Sequence, residues 1–407
     1  MCPSVFEADL PPIAYEDAQT PEEAHRRMSA ALQRAPIAMG QRGPEILSYE
    51  LVRSVLRDSR FGVPRGFFLA AQGVTSGRLW DRFGKSLPSL EGAEHHRLRR
   101  CVSPSFGPRS LARLDTMMTE LMSGLVDPLI SVGRCDVVED IARRYPIPVI
   151  CALIGAPLQD WRLFSGWADA IFMLFTWRVA GNEDVIMKAY DELDAYIVDM
   201  VDQRAVSPGD DLISELITVE EDGDRLTREE LCGVVSVLLS AGTDTTRNQL
   251  SAAVQVLCDY PEQWALLADQ PQLMPAAVEE LMRHTPIALS TIRQAYEDVE
   301  LGGVVFPAGT LVIVNTAAAN RDPDVYENPN RLDVARDNPA PMLTFGSGLH
   351  LCLGANLARA ELVAALRVMT QRMLNPRLAG PAPWKPFTPI TGPLALPIDF
   401  DIEAGQR

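Results

Sequence analysis

The chain has 407 residues, with 37 lysines and arginines against 54 aspartates and glutamates, a formal net charge of −17. That balance excludes a nucleic-acid binder that relies on overall basic charge, though a local basic face stays open. With 47% hydrophobic and 22% charged residues the composition is globular rather than disordered, and a chain this long buries a large core without staples. At roughly 150 residues per domain the length alone suggests two to three domains. The cysteines, Cys2, Cys101, Cys135, Cys151, Cys232, Cys258 and Cys352, are odd in number and scattered. No CxxC pair is present, which argues against a disulfide framework or a zinc ribbon. Met1 to Leu10 carries acids and prolines, so no secretory signal or transit peptide is expected. No uncharged apolar run is long enough to span a membrane; the best candidate, Leu231 to Gly242, is short and runs into Asp244. The expected class is a soluble, acidic globular protein of a reducing compartment.

In chain order, Pro11 and Pro12 mark a loose N-terminal arm over residues 1–20. Helical patterns dominate from Pro21 to Gln371. In the segment EHHRLRR, His95 and Arg99 stand four apart on one helical face. The longest predicted helix starts at Thr227, where Thr227 and Glu230 form a capping-box pattern. It continues through Leu231–Gly242 and Leu250–Leu257 and ends at Pro261. About thirty residues of mostly apolar helix must lie through the core, so Asp244, Thr245 and Thr246 in its middle need an explanation. Glu280 and Arg283 stand three apart on a helix between Pro275 and Pro286. On their own they would be an ordinary surface ion pair. Val299 to Asn315 reads as a hairpin or small sheet, and Pro376 to Ile402 as loops with short strands. The fold class is mainly α with small β-sheets.

Residues 345 to 354 read FGSGLHLCLG. Six of the cysteines are adequately explained as small buried hydrophobes. Cys352 differs. Gly346 and Gly348 permit close backbone approach, and a helix pattern begins just after the cysteine and runs to about Arg372. A thiolate there meets free N–H groups and the positive dipole end, an environment expected to keep it ionised as a metal ligand. His350 is too close in sequence to be an easy second ligand.

This segment resembles the haem-binding signature of the cytochrome P450 family, FxxGxxxCxG, often FGxGxHxCxG in bacterial members. The resemblance extends to Glu280-x-x-Arg283, about seventy residues earlier. It also covers Ala241-Gly242-Thr243-Asp244-Thr245-Thr246, which is similar to AGx(D/E)T(T/S) of the family's long central helix. It implies a single domain over 1–407 with the P450 fold, and haem b whose iron is bound by the Cys352 thiolate. Phe345 would pack on the haem. Glu280 and Arg283, joined by Arg331 in NPNRLD, would hold the cysteine loop. His95, Arg99, Arg293 and His350 match positions that bind the propionates. Asp244 and Thr245 would form the acid–alcohol pair that delivers protons to dioxygen, and Gly242 would leave room for it. The chain departs from the family at Glu91-Gly92-Ala93-Glu94-His95, where DPPEH is common, and at Leu332, where phenylalanine is usual.

The implied activity is that of a monooxygenase inserting one oxygen atom from O₂ into a hydrophobic, medium-sized substrate such as a terpenoid, steroid or fatty-acyl compound. Substrate contacts would come from Val63–Leu69, Trp161–Trp177, Val234–Leu239 and Ile287–Ile292, with Phe164, Trp167, Phe172, Phe175 and Trp177 as an aromatic cluster. An acidic substrate held by Arg65, Arg78 or Arg178 is the variant of that reading. No nicotinamide or flavin fingerprint is present, so electrons would come from NAD(P)H through a ferredoxin reductase and a ferredoxin. An acid-free strip, Arg97, Arg99, Arg100, Arg109 and Arg113 together with 339–360 and Arg359, would dock the acidic partner. A cytoplasmic monomer that binds neither nucleic acid nor membrane completes the expectation. The competing readings are an H₂O₂-using peroxygenase and a non-catalytic haem-binding protein.

Overall fold

The Thr227 hydroxyl accepts the Glu230 N–H (3.2 Å) and the Glu230 carboxylate accepts the Thr227 N–H (2.8 Å), closing the expected capping box. From this cap the central helix runs unbroken over Arg228–Asp259. Its apolar residues are buried nearly all round, from Leu231, Val235 and Leu239 to Leu250, Val254 and Leu257. Helices packed on it include Pro146–Ile154, Trp161–Phe172, Glu183–Val206 and Ala355–Arg372. The computed structural model describes residues 2–402 except 67, 176–178, 219, 222–223, 338 and 389. Among the described residues no helix is long and apolar enough to cross a membrane, and all seven cysteines are free.

The β structure lies to one side. Five strands order as Ile37–Gly40, Gly43–Ile46, Leu311–Val314, Thr291–Ala295 and Phe61–Gly62. The Val299–Asn315 segment therefore divides. Val299–Leu301 and Val304–Phe306 form a hairpin, and Leu311–Val314 joins the larger sheet. The tail contributes Leu374–Leu378 and Pro397–Asp401, paired with Arg134–Asp136. The N-terminal arm is not loose. Val5 is fully buried and exchanges backbone bonds with the hairpin, Ile13 and Tyr15 are buried, and Pro12 bridges Met39. Apolar side chains at alternate positions of the arm cover the sheet, which composition alone did not reveal.

The helix Met274–His284 positions the cysteine loop through one buried side chain. Arg283 is 1% exposed. It donates to both carboxylate oxygens of Glu280 (2.7 and 2.8 Å) and to the carbonyls of Asn320 and Pro329 (2.9 Å each). Asn320 passes the constraint on: its carboxamide donates to Thr344 Oγ1 (2.8 Å) and accepts the Leu343 N–H (2.7 Å). Thr344 in turn donates to the Met282 carbonyl (3.0 Å). The third arginine is not Arg331. That side chain is exposed and only its carbonyl takes part, whereas Arg336 donates to Glu280 Oε2 (3.1 Å) and to the Arg331 carbonyl (2.9 Å). The turn at 333–336 carries Arg336 back under the helix, and Asp333 N–H also reaches Glu280 (3.1 Å).

The difference is measurable. Arg336→Ala leaves part of a buried carboxylate unpaired and should cost about 2 kcal/mol, whereas Arg331→Ala should change stability by less than about 0.5 kcal/mol. Urea unfolding of the two variants checks both values.

Candidate functional site

Residues far apart in sequence converge on a cavity of about 390 Å³ between the central helix and the segment 344–362. Two glycines shape the cysteine loop. Gly346 (φ 75°) and Gly348 (φ 72°) are left-handed, and a Cβ on Gly348 would lie 2.6 Å from the Leu56 carbonyl oxygen. The turn closes with the Cys352 N–H donating to the Phe345 carbonyl (2.9 Å), and the helix Ala355–Arg372 follows. Cys352 and Phe345 both face the cavity. The Arg359 guanidinium lies over the Phe345 ring, 4.6 Å from its centre.

Cys352 is exposed to the cavity. The protein packed around it raises the thiol by desolvation, and the Gly354 N–H with Arg99 and Arg359 act in the opposite direction. A metal cation bound there displaces the thiol proton itself. The other cysteines are not candidates. Burial drives Cys135, Cys151 and Cys258 up to about 12 and Cys232 up to about 11.

All four expected cationic residues line one end of the cavity. Arg99 donates to the Leu351 carbonyl (2.6 Å), and Arg293, 4% exposed, to the Ile292 carbonyl (2.8 Å). Each guanidinium keeps further N–H donors. The His95 and His350 rings lie 4.2 Å apart. Burial, then the neighbouring His350, lowers His95 to about 4, and its buried Nδ1 has no partner among the described residues. His96 is exposed, as expected.

Glu91 is the site residue that sequence reasoning missed. Its side chain does not cap the helix Gly92–Val102. It accepts instead from the Val63 N–H and pairs with His350 Nε2 (3.0 Å). Burial raises its carboxyl, but His350, the Val63 N–H and Arg293 outweigh that and hold it low. A glutamate in place of the family's aspartate was the available signal, since its longer side chain reaches past the cap.

The opposite wall is the central helix. Thr245 faces the cavity and donates to the Ala241 carbonyl (2.6 Å), the four-back bond its mid-helix position predicts. A Cβ on Gly242 would stand 3.1 Å from Ile150 Cδ1, so this glycine serves helix packing as well as cavity width. Asp244 is held away from the cavity, paired with Arg247 and Lys385 on the outer side of the helix. The adjacent pair thus straddles the wall. Thr246 and Glu361 also line the cavity: Glu361 takes a hydrogen bond from Thr246 (3.2 Å), and burial pushes its carboxyl up to about 8.

The apolar lining includes Val63, Leu87, Pro88, Val237, Leu238, Ile287 and Ala288, with Ser290 and Thr291 beside them. Three of the four expected segments contribute. The fourth does not: among the described residues of 161–177 none lines the cavity. Phe164 and Trp167 pack edge-on against Tyr196. Phe172 contacts Phe175, which packs against Ile292 behind the wall. Phe67, Trp177 and Arg178 lie outside the described residues. Arg65 is exposed, and Arg78 is paired with Asp191 (2.9 Å).

The residues fit a haem. A thiol lies on one wall, a small-residue helix face on the other, and cations with unused donors sit at the edge where two carboxylates would lie. No group of three or more metal-binding side chains competes with this among the described residues.

Comparison with known proteins gives an independent finding. The family profile for cytochrome P450 matches residues 161–373. Nocardicin C N-oxygenase of Nocardia uniformis subsp. tsuyamanensis is 36% identical over 363 residues, 87% of this chain and 89% of that protein. Luteothin monooxygenase of Streptomyces thioluteus is 32% identical over 97% of both chains. Among solved structures, CalO2 superposes with a TM-score of 0.89 at 29% identity, covering 96% of this chain and 99% of that one.

His95 gives the site a pH signature in the protein without haem. Its folded value lies below the ordinary 6.5, so the unfolded chain takes up the proton first as pH falls. Stability should drop between pH 6.5 and about 4. The wild type should lose more over this interval than His95→Gln, as read by urea unfolding at each pH.

Proposed function

The chain belongs to the cytochrome P450 family, and from that premise we propose that Cys352 is the iron ligand of its haem b and that the cavity above it takes a hydrophobic, medium-sized organic substrate. The protein is a monooxygenase of the bacterial P450 type. Bound haem supplies the reduction of O₂ and the transfer of one oxygen atom, at a cost of two electrons and two protons. The rest is done by side chains. Arg99, Arg293, His95 and His350 hold the two propionates, and Phe345 packs beside the sulfur. Thr245 presents a hydroxyl to the oxygen side, and Asp244 is the acid behind it. The single observation that carries the reading is that Cys352 and Thr245, more than a hundred residues apart, face each other across one cavity.

The substrate reading rests on the lining. Val63, Leu87, Val237, Leu238, Ile287 and Ala288 offer apolar contacts, while Ser290 and Thr291 are the polar groups among them. An acidic substrate is disfavoured, because Arg78 is paired and the cavity arginines belong to the propionate edge.

Electrons are supplied by a ferredoxin and its reductase. The two expected docking segments do meet beside Cys352: Arg99 bonds the Leu351 carbonyl and Asn356 Nδ2 donates to the Phe106 carbonyl (3.0 Å). The cation set is narrower than expected. Arg97 is tied to Glu230, Arg113 to Asp210 and Glu215, and Arg359 to Glu279. Arg109 is exposed on that side and carries the docking charge.

Turnover with NAD(P)H, ferredoxin, reductase and isotope-labelled dioxygen tests the function. The product should carry one labelled oxygen, and Thr245→Ala should divert most of the consumed O₂ to peroxide. Activity with H₂O₂ alone that matches the reductase system, or binding without any turnover, would favour the competing readings. Arg109→Gln should slow the first electron transfer and flatten its salt dependence; Arg97→Gln should not.

The propionate cluster gives a second test. Arg293→Gln should speed haem loss to a competing apoprotein, and Glu91→Gln should slow it, because Glu91 competes with the propionates for the same cations. Equal rates in all three proteins would contradict the assignment.

A further inference from the structure

The outer side of the central helix carries a charge cluster. The Asp244 side chain is 5% exposed, and its two oxygens have different partners. Oδ1 pairs with Arg247, one turn along the same helix. Oδ2 accepts from Asn248 Nδ2 (2.8 Å) and from Lys385 Nζ (3.3 Å). Lys385 also donates to Asn248 Oδ1 (3.1 Å). Arg247 and Asn248 ride on the helix with Asp244, whereas Lys385 arrives from the C-terminal loop, 141 residues away.

That loop is built to hold the lysine in place. Thr391, fully buried, donates to the Lys385 carbonyl (2.9 Å), and the Lys385 N–H donates to the Gly392 carbonyl (2.9 Å). Trp384 Nε1 donates to Gln255 on the central helix (2.8 Å). Gly392 lies so close that a Cβ there would stand 2.6 Å from the Asn248 side chain. Residues 244, 248 and 255 share one helix face, and the loop lies along it. Around the cluster, Asp169 of the helix Trp161–Phe172 approaches Arg247 (3.9 Å), and Glu139 and Arg143 of the turn at 137–143 pair with each other (2.7 Å) and act on Arg247. Three carboxylates, Asp244, Asp169 and Glu139, therefore face three cations, Arg247, Lys385 and Arg143.

We propose that Lys385 is a positioning residue for oxygen activation: it shares Asp244 with Arg247 and connects Oδ2 to bulk water on the outer face of the helix. The idea rests on the reading of Asp244 as the acid behind Thr245. With Lys385 charged, the carboxylate is divided between two cations and neither holds it fully. Without that charge Arg247, already in contact with Oδ1, is the one cation left to the carboxylate, and a carboxylate held only by a neighbour on its own helix has no pull away from it toward the cavity. The Lys385 side chain is 26% exposed, so its ammonium reaches solvent while touching a nearly buried acid. Over one cycle Asp244 Oδ2 takes a proton from solvent water at the Lys385 end of the cluster, an O–H bond forming at Oδ2 as a water O–H bond breaks. Asp244 releases that proton on the Thr245 side and Lys385 keeps all of its own, so both groups end as they began. Burial, then Arg247, lowers the Lys385 ammonium to about 8, which puts the loss of its charge within an accessible pH range.

The test compares Lys385→Met, Lys385→Arg and Asp244→Asn in the haem-loaded protein with its redox partners. Product formed per O₂ consumed and the solvent isotope effect are followed as pH rises from 7 to 9.5, a range set about the printed value of about 8. The wild type should lose coupling several-fold through about pH 8. Lys385→Met should be low and flat throughout, and Lys385→Arg high and flat. A second readout needs no turnover: the nitrogen NMR signal of Lys385 in the haem-free protein should titrate at lower pH in Asp244→Asn, because its carboxylate partner is gone. If Asp244→Asn couples O₂ to product like the wild type, the reading of Asp244 as the acid fails. If Asp244→Asn is impaired while Lys385→Met keeps the wild-type profile and isotope effect, the role of Lys385 fails. A lysine signal unmoved by Asp244→Asn also overturns the proposal.

Discussion

Arg283 is the side chain on which the geometry of the site depends. It is a buried charge, tolerable only because every direction around it offers an acceptor: Glu280 on its own helix, and the carbonyls of Asn320 and Pro329. Those acceptors come from segments with little regular structure. By gathering them, the guanidinium fixes Asn320, and through Asn320 and Thr344 it fixes the residue before Phe345. The cysteine loop has few other means to hold its shape, since it consists largely of glycine turns. Arg336 completes the arrangement by pairing with Glu280 from the far side, so the carboxylate meets two guanidiniums and its burial is offset.

The central helix divides chemistry from solvent. Its cavity face carries small groups, Gly242 and the Thr245 hydroxyl, while its outer face carries Asp244 among cations. An acid facing an apolar cavity directly would meet a large desolvation cost. Placing it one residue away, on the outer face, pairs it with Arg247 and Lys385 and leaves the hydroxyls of Thr245 and Thr246 as the polar groups of that turn inside. The same economy governs the propionate edge, where Glu91 offsets part of the positive charge of Arg293.

Much of this was readable in the sequence because it is local. The capping box at Thr227, the glycines at 346 and 348, the helix after Cys352 and the four-residue spacing of His95 and Arg99 all act within one or two turns of backbone. Contacts made across long loops were not readable. Arg331 and Arg336 are both plausible partners for Glu280 by spacing, and only the path of the turn at 333–336 selects the second. The N-terminal arm looked loose because prolines break its periodicity, yet Val5, Ile13 and Tyr15 find apolar surface on the sheet. The aromatic residues Phe164 and Trp167 read equally well as substrate contacts or as core, and the helix rotation that decides the matter is set by Tyr196 on the next helix. Lys385 carried no signal at all, since nothing in a proline-rich tail indicates that it reaches the middle of the central helix.

The central claim is that Cys352, and no histidine of the cavity, binds the haem iron. X-ray absorption at the iron edge of the haem-loaded protein tests it most directly, with His350→Gln and Cys352→His alongside. The account predicts one sulfur neighbour in the wild type and in His350→Gln, and none in Cys352→His. An iron surrounded only by nitrogen and oxygen in the wild type would contradict it.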